Sequence, residues 1–89
     1  MKFEVSPEIA VRKLDDEIFF VTPKTSEIHS LDEIGIDIWD LLIQNLSFKE
    51  IGIELSEKYN ASPDIISADA EDLANSLVKK GILIKTEEK

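Results

Sequence analysis

The sequence predicts an α+β fold of the winged helix-turn-helix kind: a three-stranded antiparallel sheet followed by a three-helix bundle. Three observations carry this expectation. Residues 9–31 hold runs of aromatic and β-branched side chains separated by turn signals. From Asp32 onward the apolar residues recur at helical spacing instead. Each helical stripe also opens on a residue suited to capping.

The first strand is expected over residues 9–14, with Ile9 and Val11 on one face and Arg12 on the other. Asp15 and Asp16 form a turn, and Glu17-Ile18-Phe19-Phe20-Val21-Thr22 is the second strand. Pro23-Lys24-Thr25-Ser26 is a second turn, leading into a short third strand, Glu27-Ile28-His29-Ser30-Leu31. Two successive hairpins make a meander.

Asp32 caps a first helix on which Ile34, Ile38, Leu41 and Leu42 form a stripe, widened by Trp39 as a core residue; Gln44-Asn45 ends it. Ser47-Phe48-Lys49-Glu50 is a capping box with Leu46 and Ile51 at the staple positions, and Ile51, Leu55 and Tyr59 continue the stripe. The third helix has Ser62 as cap, Pro63 at its first position and Asp64 in its first turn. Ile66, Ala70, Leu73 and Leu77 are its apolar face, and Lys79-Lys80 followed by Gly81 closes it. At about 1.5 Å per residue this helix is ~27 Å long. Ile82-Leu83-Ile84 is an apolar tail, a strand or a clamp on the core, and residues 86–89 are expected to fray.

With 89 residues, 43% of them hydrophobic and 33% charged, the chain is expected to be one domain over residues 1–89, with an ordered core at about 8–84. No Cys is present, so disulfides, thiolate metal sites and cysteine nucleophiles are excluded. No signal peptide and no membrane-length apolar run is visible, which suggests a cytoplasmic protein. No cofactor motif appears: there is neither a Gly-rich phosphate loop nor a calcium loop. The single His, His29, lacks the Cys or second His that a transition-metal site needs and reads as a surface or partner-facing residue. The chain reads as a binding module and not an enzyme.

The net charge of −9 and a third helix carrying Asp64, Asp69, Glu71 and Asp72, with no basic residue before Lys79, argue against the DNA-binding use of this fold. The third strand, as the last of a meander, is an edge without Pro or Lys to block it. Ala70 and Ala74, one turn apart, would leave a shallow channel beside it, which suits strand addition by an extended peptide; close packing against the sheet is the alternative.

The stretch Ile28-His29-Ser30-Leu31-Asp32-Glu33-Ile34-Gly35-Ile36-Asp37-Ile38-Trp39-Asp40-Leu41-Leu42 resembles the L-N-x-x-G-x-x-I-W-x-L-L signature of PqqD-like proteins. The likeness continues through Ser47, Glu50, Ile51, Leu55 and Tyr59, and closes on Asp69, Leu73, Leu77, Gly81, Ile82 and Leu83. Asp32 stands where Asn is usual, and Gln44-Asn45-Leu46 replaces a common Asp-Gly turn. PqqD is the small chaperone of pyrroloquinoline quinone biosynthesis, and its relatives are recognition elements for ribosomally made, post-translationally modified peptides. The resemblance implies binding of a precursor's leader segment as a strand added to the third strand and lying against the third helix. Glu27, Ile28, His29 and Ser30 would supply backbone pairing; Ile66, Ala70, Leu73, Ala74 and Leu77 would shape the apolar wall, some of them shared with the core. It further implies a separate maturation enzyme as partner, such as a radical S-adenosylmethionine enzyme or a leader protease. A winged-helix regulator and a constitutive subunit of a larger enzyme are the alternatives, and the open edge also allows a homodimer.

Overall fold

The computed structural model describes residues 2–22 and 27–86. Its elements are β1 (Lys2–Val5), β2 (Ala10–Leu14), β3 (Glu17–Thr22), β4 (Glu27–Leu31), α1 (Glu33–Leu42), α2 (Phe48–Tyr59), α3 (Pro63–Lys79) and β5 (Leu83–Thr86). The expected meander is present as an antiparallel sheet in the order β2-β3-β4. Leu14 faces Glu17 across the Asp15-Asp16 turn, while the expected turn at residues 23–26 lies outside the described residues. The pairings Phe20 with His29 and Ile18 with Leu31 put His29 and Leu31 on the inner face of β4. Ile28 and Ser30 lie on the outer face with Val21 and Phe19.

The three helices sit where the apolar stripes predict. Asp32 caps α1 by accepting a hydrogen bond from the Gly35 amide at 2.8 Å. After α1 the chain turns at Asn45, whose φ of 67° is left-handed, a conformation Asn tolerates better than most side chains. The Gln-Asn-Leu sequence therefore makes this turn without a glycine. The capping box of α2 is formed in both directions: Glu50 N–H donates to the Ser47 hydroxyl at 3.1 Å, and Ser47 N–H donates to the Glu50 carboxylate at 2.9 Å. Ser62 holds the cap position of α3, but its side chain makes no capping hydrogen bond, and Pro63 alone sets the entry. Gly81, at φ 79°, ends α3, and the Ile82 amide donates back to the Leu77 carbonyl at 2.9 Å.

The core is one cluster in which Ile18 and Phe20 of β3 meet Ile38, Trp39 and Leu42 of α1, Ile51 and Leu55 of α2, and Ile66, Ala70, Ala74 and Leu77 of α3. Trp39 is 3% exposed and packs edge-on to Phe20 with ring centroids 4.7 Å apart, the core role its position indicates. Close approach of α2 to α3 depends on Gly52, where an added Cβ would come within 2.3 Å of the Pro63 carbonyl oxygen.

One strand is absent from the sequence-level picture. β1 pairs antiparallel with β5, from Lys2 opposite Thr86 to Val5 opposite Leu83. The apolar tail is thus both a strand and a clamp: Ile82 and Leu83 are buried, and Phe3 is buried against them from β1. Part of this strand pair lies outside the 8–84 core expected from sequence. Four alternating residues carry no signal for a partner at the far end of the chain, because no turn joins them. Among the described residues no helix is long and apolar enough to cross a membrane.

Candidate functional site

β4 follows from its alternation. Leu31 turns inward beneath α1, while Ile28 stands 69% exposed on the outer face. Among the described residues β4 pairs only with β3, so its second edge is open along its length. At the C-terminal end of that strand lies a groove of about 540 Å³ built by three elements. Ser30 and Leu31 bring β4 to it, Asp32, Ile34, Gly35 and Ile38 bring the cap and first turns of α1, and Asp69 and Leu73 bring α3. Its floor is apolar and its charged groups are both carboxylates.

Gly35 shapes that floor. A Cβ there would stand 3.0 Å from the Asp32 carboxylate and 3.2 Å from the Leu31 Cβ, so the bare backbone lets the end of β4 fold tightly over α1. The Asp32 cap and the Leu31 contact meet at this one residue. Strand end and helix start are thereby held together where an added strand would run.

The residues named from sequence divide into two groups. Glu27, Ile28 and Ser30 are exposed on β4, His29 is half-buried, and Leu73 is half-buried on the groove wall. Ile66, Ala70, Ala74 and Leu77 are 2% exposed or less. They belong to the core, and the channel expected along Ala70 and Ala74 is closed: these small side chains serve close packing of the helix, not a ligand. The α3 residues that line the groove, Asp69 and Leu73, are one turn apart and each lies one residue before a buried alanine. Leu73 also follows Ala70 by three residues, which is why the apolar stripe read from sequence includes it. Asp69 and the α1 residues were missed because a helical pattern shows which face is apolar and not which margin of it stays open. The periodicity of α1 did contain Ile34 and Ile38, but only as core.

Away from the groove, Asp37 of α1 accepts hydrogen bonds from Lys58 Nζ at 2.7 Å and from the Tyr59 hydroxyl of α2. Burial alone would raise the Asp37 carboxyl, yet these two hydrogen bonds and the Lys58 charge outweigh it and hold it below the ordinary aspartate value. Burial, reinforced by Asp37, pushes the Tyr59 phenol up. This is a fixed strut between helices, with its charges already paired. Among the described residues no three metal-ligating side chains converge.

The family model described as coenzyme PQQ synthesis protein D (PqqD) matches residues 17–83. The chain belongs to the PqqD family. The match runs from the start of β3 through Leu83 and so includes β4, all three helices and both walls of the groove. Among curated proteins no significant match is found. Two solved structures resemble this PqqD-family chain over nearly its whole length. TbiB1 in complex with the TbiA(beta) leader peptide is 25% identical, with a TM-score of 0.79 over 99% of this chain and 100% of that one. A lasso peptide synthetase B1 complexed with the leader peptide is 21% identical, with a TM-score of 0.85 over 96% of this chain and 100% of that one. The α+β, winged-helix architecture is common to all three.

Proposed function

We propose that this PqqD-family chain is a non-catalytic cytoplasmic protein that binds the leader segment of a ribosomally synthesised precursor peptide and presents it to a separate maturation enzyme. The leader adds as a strand to the open edge of β4, pairing with the backbone at Glu27, Ile28, His29 and Ser30. Its inward side chains enter the groove against Leu31, Ile34, Ile38 and Leu73. The observation that carries this reading is the juxtaposition of an unblocked strand edge with an apolar groove that meets the strand at Ser30 and Leu31. Backbone pairing supplies affinity for any extended segment, and the groove selects among side chains. Family membership and the 25% identical leader-peptide complex support the same reading. The enzyme served is of the class that acts on such precursors, a radical S-adenosylmethionine enzyme or a leader protease.

Of the α3 residues named from sequence, only Leu73 reaches this groove from the wall. The buried Ile66, Ala70, Ala74 and Leu77 belong to the core behind it.

The test is titration of the isotopically labelled chain with the synthetic leader of a precursor encoded beside its gene. Saturable binding with amide shifts concentrated in β4 and along the α1 and α3 margins of the groove is expected. Shifts confined to β1, β5 or the outer face of α2 would refute the assignment.

A further inference from the structure

The groove has a second property besides its apolar floor. Among the described residues, both charged groups that line it are negative. Asp69 stands on the α3 wall and Asp32 on the opposite one, with Leu31, Ile34, Ile38 and Leu73 between. Among the described residues no cation pairs with either carboxylate. The surroundings carry the same sign: Glu27 begins β4, and α3 has no basic residue before Lys79. The acidity that argues against nucleic acid as a ligand bears equally on which peptides the groove accepts.

A strand added to β4 turns alternate residues toward α3, with like-facing side chains about 6.6 Å apart. An apolar side chain on that face can fill the floor. A Lys or Arg two positions away can lay its aliphatic stem over Leu73 and carry its charge to Asp69. A Glu or Asp at the same place would meet uncompensated like charge, which specific sites use to reject wrong partners.

Building on the leader-binding reading above, we infer that this groove selects leaders that present a cationic side chain two residues from an apolar one on the face turned to α3. Asp69 is the specificity-determining residue, and Asp32 adds to the field. Both carboxylates are exposed, so the effect is moderate in size and sensitive to salt.

The probe is a displayed library of random 12-residue peptides selected against the full chain, with each enriched peptide resynthesised and its contacts mapped by amide shifts. Peptides that shift β4 amides are expected to share a Lys or Arg in fixed register with an apolar residue. Changing that cation to Glu should weaken binding about fivefold at low salt, with a smaller loss at high salt. Asp69→Lys should reverse the preference between the Lys and Glu peptides. Glu71→Lys makes the same change of net charge on another side of α3 and should leave the preference in place. Peptides that bind at β4 but show no charge preference, or a preference that Asp69→Lys does not alter, would overturn the charge rule and leave strand addition standing. A library that yields no β4-directed binder would overturn the leader-binding reading, and the charge rule with it.

Discussion

Single residues decide how closely the helices approach. Gly52 lies inside α2, where alanine would ordinarily gain about 0.5–1 kcal/mol of helix stability. Here the added methyl would stand against the Pro63 carbonyl, a backbone atom that moves only with α3 itself. Gly52→Ala is therefore expected to destabilise by about 1–3 kcal/mol, read as a lower urea midpoint with unchanged slope. Asp37 supplies a second residue-scale prediction. Its folded pKa lies below the ordinary value of 3.8, so its ion pair and hydrogen bonds contribute stability above that value. The contribution is lost as pH falls through the folded pKa. Asp37→Asn should lower stability by about 1 kcal/mol near neutrality and little once the wild-type carboxyl is protonated. Thermal melts of both proteins across the acid range would then converge toward low pH. None of this was visible in the sequence, where Gly52, Asp37 and Tyr59 are separated positions with no pattern linking them. Caps are the contrast: Asp32 and Ser47 were legible because both partners lie within one turn.

At the scale of elements, α3 faces two environments along one helix. Its buried stripe, Ile66, Ala70, Ala74 and Leu77, packs the core, and the adjacent stripe through Asp69 and Leu73 borders the groove. Sequence periodicity located the first well, since burial is what makes a stripe apolar. It could not locate the second, whose groove-lining members, Asp69 and Leu73, are one charged and one apolar. The distinction has opposite experimental consequences for neighbouring positions. Ala74→Arg places a long cation at a site with no exposure and is expected to cost several kcal/mol and lower the melting temperature sharply. Leu73→Arg sits on the half-buried margin and should leave the circular dichroism spectrum and melt nearly intact. Leader affinity measured by calorimetry should fall about tenfold or more, because the groove loses its apolar wall. Equal loss of stability in the two variants would mean that α3 has no open margin.

The whole molecule is thin, 37 × 36 × 17 Å, so a single core serves both sheets and every large buried side chain carries a sizeable share of the stability. The β1–β5 pair is the part of this architecture that sequence patterns could not reveal, because its partners are the two ends of the chain. Its place explains what it does. β5 follows α3 directly through Gly81, and Phe3 of β1 packs its ring 5.9 Å from that of Phe48 at the start of α2. The clamp thus binds the ends of two helices to each other. Neither of its strands pairs with β4 or lines the groove. Stability and recognition are consequently separable at this scale. Phe3→Ala removes a large side chain only 7% exposed and is expected to cost about 3–5 kcal/mol, a large fraction of what a domain this small possesses. Leader affinity, measured where the variant remains folded, should be unchanged, since β4 still pairs with β3 and Leu31, Ile34, Ile38 and Leu73 keep their places. A weakened leader together with a lowered melt would instead mean that the clamp holds α3 at its working distance from β4, and that the two sheets act as one device.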